Sequence, residues 1–176
     1  MTMPSEIDEY VQHLERYRAT TLQVFDLVSA DELSWRPSPD QYSLGQQLLH
    51  IGQAEDRVAH GVFEGDWDLE RVRFPKPLPG PDAMKAFLRD VRACLLRHVS
   101  ALSPEDLGRT VGVPGSGTSY TVRSWLWFTL EHELHHRGQI WAYLRAMGKT
   151  PPFYAAALPL GERPDIEARE DLGGFA

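Results

Sequence analysis

The sequence has one cysteine, no long apolar run and no basic leader segment. Cys94 has no partner for a disulfide within the chain, and its apolar surroundings in VRACLLRHV predict a small core residue rather than a nucleophile. No apolar stretch approaches the roughly 20 residues that a transmembrane helix needs. The first residues show no basic segment followed by an apolar one, as a secretory signal would. These absences predict a cytoplasmic protein without a membrane partner.

Positive charge is also scarce. With 18 lysines and arginines against 25 aspartates and glutamates, the 176 residues carry a formal net charge of -7. Nucleic acids and anionic membrane surfaces are bound mainly through lysine and arginine patches. We therefore expect no nucleic-acid partner. The length suits one domain with one sizeable core, and the sequence contains no internal repeat.

Helical periodicity is the main pattern that the sequence does contain. Apolar residues recur at three- and four-residue steps in four segments, which indicates amphipathic helices. Four such helices predict an all-α protein, a four-helix bundle. The predicted segments cover residues 5–29, 43–65, 81–102 and 121–147.

Two regions lie outside this periodic pattern. The stretch SPEDLGRTVGVPGSGTSYT mixes glycines with β-branched residues, and either a long loop or a short hairpin before the last helix fits it. After Gly148, which suits a helix C-terminus, two prolines prevent further helix. We therefore predict a bundle over residues 1–150 and a C-terminal extension, residues 151–176, which is either packed on the bundle as a tail or partly disordered.

The last predicted helix contains EHELHHRGQI, in which three histidines and two glutamates fall within six positions. His132 and His136 lie one turn apart, in the apolar stripe that also contains Trp125, Phe128 and Tyr143. At this i, i+4 spacing, two imidazoles can converge on one metal ion. Burying each imidazole without a partner would cost on the order of 2 kcal/mol. The pair therefore favours metal binding over a purely structural role.

The second helix supplies the best candidate for a third ligand. His50 lies in the middle of SLGQQLLHIGQAEDRV, at the edge of the apolar stripe, and Glu55 falls within the stripe. We predict that Glu55 either accepts a hydrogen bond from a metal-bound histidine or ligates the metal itself. A partly exposed ion pair is the alternative. His50, His132 and His136 would form a three-histidine site that leaves positions for water or substrate, as catalytic metal centres do.

Three further side chains of the last helix are candidates for supporting roles. Gln139 faces the same side as the two histidines and is a candidate polar contact in the pocket. His135 is a candidate for proton transfer, with a place at a dimer seam or behind the ligands as the alternative. Arg137 lies on another face, where an ion pair, an interface contact or an anchor for an anionic substrate would suit it.

Residues 132–136 also match H-E-x-x-H, the zinc-protease motif in which the glutamate is the general base. The motif is short, so chance matches are frequent. Glu133 lies on a different side of the helix from His132 and His136, and the sequence gives no firm strand that would bind a peptide. A metalloprotease is therefore the least favoured hypothesis.

Two segments together, LSWRPSPDQYSLGQQLLHIGQAE and EHELHHRGQI, resemble the DinB/YfiT-like superfamily of metalloenzymes. The shared features are the WRP turn before the second helix, a histidine in the middle of that helix, and the HxxxHRGQ run in the fourth. The resemblance covers roughly residues 5–150. It implies a DinB-like four-helix bundle with an unusual helix order, a homodimer, and a divalent metal held by His50, His132 and His136.

The resemblance also implies a choice of chemistry, because relatives use the metal to activate a thiol or water. The first hypothesis is a metal-dependent enzyme acting on a small-molecule substrate. It would be either an S-transferase using a low-molecular-weight thiol such as bacillithiol, or a hydrolase. A metal-binding stress or detoxification protein without turnover is the alternative. The sequence does not identify the metal, since three-histidine sites accept zinc, nickel, copper, iron or manganese.

Overall fold

The computed structural model describes residues 5–152. The predicted all-α four-helix bundle is confirmed, and none of the helices in the described part is long and apolar enough to cross a membrane. Except for its first two residues, the predicted C-terminal extension lies outside this part of the chain. The helices are α1 Glu6–Leu22, α2 Leu44–Val58, α3 Pro81–Val99 and α4 Val122–Ala146.

Side-chain caps fix where three of the helices begin. Ser5 and Ser43 each form a capping box with the residue three positions later, and Thr121 accepts a hydrogen bond from the amide of Ser124. α1 is shorter than predicted, because a 3-10 turn replaces the α-helix from residue 23. α2 is also shorter and passes into a π-helical turn, residues 59–64.

The region before α4 is a short hairpin, which decides between the two predicted alternatives. Strands β1 Thr110–Gly112 and β2 Ser119–Thr121 pair antiparallel, with Val111 opposite Tyr120. Gly115 and Gly117 in the connection have φ values of 76° and 69°, which glycine adopts without strain. The hairpin holds exposed Tyr120 close to the first turn of α4.

The core consists of two apolar clusters, one toward each end of the bundle. One cluster contains the residues that follow α1 and the C-terminal part of α4 with the N-terminal parts of α2 and α3, and the other contains the opposite ends. α1 and α4 therefore run in one direction, and α2 and α3 in the other. The connection between α2 and α3, residues 59–80, must consequently run back along the bundle. Cys94, predicted to lie in the core, packs half-buried against the second cluster, and burial raises the pKa of its thiol.

A buried ion network joins all four helices between the two clusters. Its members are Arg18, Glu55, Arg92 and Glu133, one from each helix and each at most 4% exposed. Arg18 lies 2.9 Å from Glu55 and 3.2 Å from Glu133. Arg92 lies 2.7 Å from Glu133 and also pairs with Glu55. The two positive and two negative charges balance, and this pairing permits their burial.

The network keeps Glu133 ionised. Burial by itself would raise the pKa of Glu133, but attraction to Arg18 and Arg92 outweighs burial. A hydrogen bond of 2.6 Å from the Thr21 hydroxyl acts in the same direction, so that the pKa falls to about 2. The ionised carboxylate of Glu133 therefore has a structural role, since it pairs with arginines of α1 and α3 inside the bundle.

Candidate metal centre

α2 and α4 bring three histidines together at the bundle surface. The ring centroids lie 4.9 Å apart for His50 and His132, 4.7 Å for His50 and His136, and 4.4 Å for His132 and His136. One nitrogen from each ring lies within 4.8 Å of the other two, and each histidine is half-buried. The three predicted ligands therefore form one cluster, with the reach that a shared metal ion requires.

Glutamine side chains orient two of the three rings. Nδ1 of His50 lies 3.0 Å from the amide oxygen of Gln53, and Nδ1 of His136 lies 2.6 Å from that of Gln47. An amide oxygen only accepts, so each Nδ1 carries the proton and donates. The lone pair of each imidazole then resides on Nε2. Fixing the tautomer through the second ring nitrogen is how proteins prepare histidines as metal ligands.

Gln139 supports the cluster from its own helix. Its amide oxygen lies 3.0 Å from Nδ1 of His136, and its amide nitrogen lies 3.1 Å from Nε2 of His135. The two contacts agree on the orientation of the amide group. Gln139 therefore lies beside His136, while exposed His135 contacts His136 and Gln139 outside the three-histidine cluster.

Burial keeps the imidazoles of His132 and His136 neutral. Loss of solvent, followed by the proximity of His136 and His50, lowers the pKa of His132 to about 3. Burial is also the largest cause that lowers the pKa of His136, to about 4. Both rings are therefore unprotonated at pH 7, which is the form that binds a metal ion.

The structure corrects the predicted role of Glu55. Its carboxylate is bonded to Arg18 and Arg92, so it neither joins the histidines nor accepts a hydrogen bond from them. The alternative, an ion pair, is what the structure shows, although Glu55 is buried rather than partly exposed.

Glu133 is likewise directed away from the histidines. Because its oxygens are bonded to Arg18, Arg92 and Thr21, it is not placed to act as the general base of an H-E-x-x-H protease. Arg137 is also buried, with its guanidinium 5.0 Å from the ring of Tyr17, so it is no rim anchor for a substrate.

A cavity of about 780 Å³ opens beside the cluster, with His50 and His132 in its wall. Trp125 and Phe128, two members of the aromatic stripe of α4, line the cavity. Tyr143 does not, because it packs within the first apolar cluster. The cavity has the volume of a small-molecule site and adjoins the nitrogens that would hold a metal.

Sequence patterns missed Gln47 and Gln53, the two glutamines of α2 that bond the histidines. Gln53 is three positions after His50, so helical spacing could have indicated the contact. Gln47 reaches His136 across the α2–α4 interface, and nothing local in the sequence indicates that contact. In the structure Gln47 is 5% exposed, so its polar side chain is buried between the two helices.

Replacing Gln47 should weaken metal binding without unfolding the bundle. We expect Gln47→Leu to lower the zinc affinity about tenfold, because supporting hydrogen bonds to ligands carry effects of this size and Gln139 still bonds His136. Competition with a chromophoric chelator measures the affinity. Gln12→Leu, at an exposed position of α1, is the control. Equal affinity in the Gln47 variant and the wild type would contradict a role for this hydrogen bond.

A comparison with protein families identifies the architecture. The model of the DinB superfamily matches residues 13–140, which include α2, α4 and all three histidines. The chain belongs to the DinB superfamily. The fold and the cluster therefore agree with the resemblance that the WRP turn and the HxxxHRGQ run indicated.

One DinB-like relative shares a quarter of the aligned residues with this chain. The uncharacterized protein YjoA from Bacillus subtilis (strain 168) is 25% identical over 149 residues, covering 84% of this chain and 95% of its own. The crystal structure of YjoA aligns with a TM-score of 0.68 over 85% of this chain and 99% of its own.

Two other solved structures share the fold at lower identity. YfiT from Bacillus subtilis is 16% identical, with a TM-score of 0.68 over 85% of this chain and 93% of its own. It is described as a probable metal-dependent hydrolase with an unusual four-helix bundle topology. A mutant of a mycothiol-dependent maleylpyruvate isomerase is 15% identical, with a TM-score of 0.53 over 84% of this chain and 70% of its own.

Proposed function

We propose that the protein is a metal-dependent enzyme that binds one divalent ion through His50, His132 and His136. The observation that carries the proposal is the position of the three imidazoles, with one nitrogen from each within 4.8 Å of the others, beside an apolar cavity. Imidazole nitrogens suit zinc, nickel and iron, and manganese is a weaker candidate because it prefers oxygen ligands. Three protein ligands are typical of catalytic rather than structural sites.

Hydrolysis of a small molecule is the reaction that we favour. A divalent ion at this site would lower the pKa of water or of a thiol and so supply a nucleophile at neutral pH. The chain's own residues orient His50 and His136 through glutamine side chains, burial holds His132 and His136 neutral, and Trp125 and Phe128 form an apolar wall beside the cluster. The likeness to YfiT, a probable metal-dependent hydrolase, supports this choice.

Transfer of a thiol is the second candidate, favoured by the size of the cavity. A volume of about 780 Å³ accommodates a low-molecular-weight thiol such as bacillithiol together with a small electrophile. The mycothiol-dependent isomerase with the same fold supports this alternative. The same three histidines would serve either reaction.

Metal content tests the first step of the proposal. We expect untagged wild-type protein to contain about one equivalent of a divalent metal by inductively coupled plasma mass spectrometry, since the described residues contain one such cluster. The His132→Ala/His136→Ala variant should contain none. His135→Ala is the matched control, because it removes an exposed histidine of the same helix and should leave the metal in place. Metal content independent of the cluster would refute the proposed site.

Turnover separates the two reactions. The metal-loaded protein is given a p-nitrophenyl ester without thiol, and monochlorobimane with bacillithiol. Ester hydrolysis that the double variant lacks supports a hydrolase, and thiol conjugation that the double variant lacks supports an S-transferase. Failure of every ester and thiol tried, with metal bound, would favour the metal-binding protein without turnover.

A further inference from the structure

The cavity beside the histidines has one charged residue at its far end. It extends along the groove between α2 and α4, and on α2 its lining residues recur at helical spacing from His50 through Ala54 to Arg57. Arg57 is seven residues beyond His50, which corresponds to about 10 Å along the helix. Among the described residues that line the cavity, Arg57 is the only arginine, lysine, aspartate or glutamate.

Between these two ends the wall is aromatic. The ring of Phe128 lies 5.4 Å from that of His132 and 6.0 Å from that of Trp125. Trp125 in turn lies 5.5 Å from Tyr120 of the hairpin and 5.3 Å from Trp67. Phe128, Trp125 and Tyr120 line the cavity, and such an aromatic wall suits a flat apolar body.

The guanidinium of Arg57 contacts an aromatic ring at the end of this wall. It lies over the ring of Trp67 at 5.9 Å, a cation–π contact. Trp67 is itself packed against Gly61, where a Cβ atom would lie only 2.6 Å from the indole. None of the ion pairs in residues 5–152 uses Arg57, which leaves its charge for a ligand.

We propose that this cavity selects elongated aryl carboxylates. The apolar body would lie along the α2–α4 groove, the carboxylate would pair with Arg57, and the group to be transformed would lie at the histidines. This substrate class rests on the proposed function for the reacting end, whereas recognition by Arg57 does not require a metal. An arginine binds a carboxylate with two parallel hydrogen bonds, so the pairing carries direction as well as charge.

The test compares biphenyl-4-carboxylate with biphenyl-4-carboxamide, which has nearly the same shape and no charge. Metal-free protein is used, because a carboxylate would also bind to a metal ion. By isothermal titration calorimetry, we expect the wild type to bind the carboxylate about tenfold more tightly than the amide, as a charged hydrogen bond provides. The preference should diminish with added salt, since Arg57 is exposed to solvent.

Three variants locate the interaction. Arg57→Gln should reduce the ratio of the two affinities to about one, and Arg89→Gln, an exposed arginine of α3, should leave it unchanged. Ala54→Leu should weaken both ligands alike, because the larger side chain fills the groove between the two ends.

Several results would overturn the proposal. These are equal affinity of the two ligands for the wild type, absence of binding by either, an unchanged ratio in Arg57→Gln, or an Ala54→Leu variant that binds like the wild type. None of these results would change the metal content of the protein, so the proposed metal-dependent function would stand. If the wild type contained no metal, the proposed function would fail, but the expected ratio of the affinities for the carboxylate and the amide would stay the same.

Discussion

Glu133→Gln should lower the free energy of unfolding by about 3 kcal/mol, because removing one charge from a buried ion network leaves its partner uncompensated. Arg18 and Arg92 would then share the single carboxylate of Glu55 at a depth where all the partners are at most 4% exposed. Urea unfolding at pH 7, followed by circular dichroism, measures the change.

A neighbouring substitution and a coupled pair serve as controls. Glu131→Gln removes an exposed carboxylate two positions away and should change the stability by less than about 0.5 kcal/mol. Arg92→Leu combined with Glu133→Leu should cost less than the sum of the single changes, because the pair removes both charges together. Additive effects, or a Glu133→Gln variant as stable as wild type, would contradict the network's role.

The same substitution should change how stability depends on pH. The pKa of Glu133 is about 2 in the folded protein, below its ordinary value of 4.5, so its contribution is complete above pH 4.5 and is lost as the pH falls toward 2. The difference in stability between wild type and Glu133→Gln should therefore shrink by roughly 2 kcal/mol between pH 7 and pH 3. A difference that stays constant over this range would contradict the lowered pKa.

Zinc should stabilise the folded protein strongly. At a free zinc concentration one hundred times the Kd, binding to the folded state alone adds about 2.7 kcal/mol. For a chain of this size the melting temperature should rise by about 5–10 °C. The physical reason is that His50 belongs to α2, whereas His132 and His136 belong to α4, so that one ion would link two helices. Differential scanning fluorimetry with and without EDTA measures the shift.

Variants separate this effect from the stability of the ion network. His132→Ala should lose most of the zinc-dependent shift, and His135→Ala should keep it, because exposed His135 lies outside the cluster. Glu133→Gln should melt earlier than wild type but retain the shift, since Glu133 contacts Arg18, Arg92 and Thr21 rather than the histidines. An equal zinc shift in His132→Ala and wild type would indicate binding elsewhere.

Local patterns were sufficient to predict the bundle and the histidine cluster. Helical periodicity and the caps at Ser5 and Ser43 depend on residues three or four positions apart, and these relations can be seen in the sequence directly. The same spacing placed His132 and His136 on one side of α4, and the apolar stripe of α2 indicated His50. The family match agrees with these elements.

The buried charges could not be assigned in this way, because each depends on packing among distant segments. Glu133 meets Arg18 across 115 positions of sequence, and Gln47 meets His136 across 89. A single-stripe view of α4 placed Glu133 and Arg137 outside the core, yet α4 packs against both α1 and α2, and both side chains are buried. The contacts between four helices therefore decide which charges pair, which glutamine orients a histidine ring and where the cavity opens. Periodicity, by contrast, is a property of a single helix and can be seen in its own sequence.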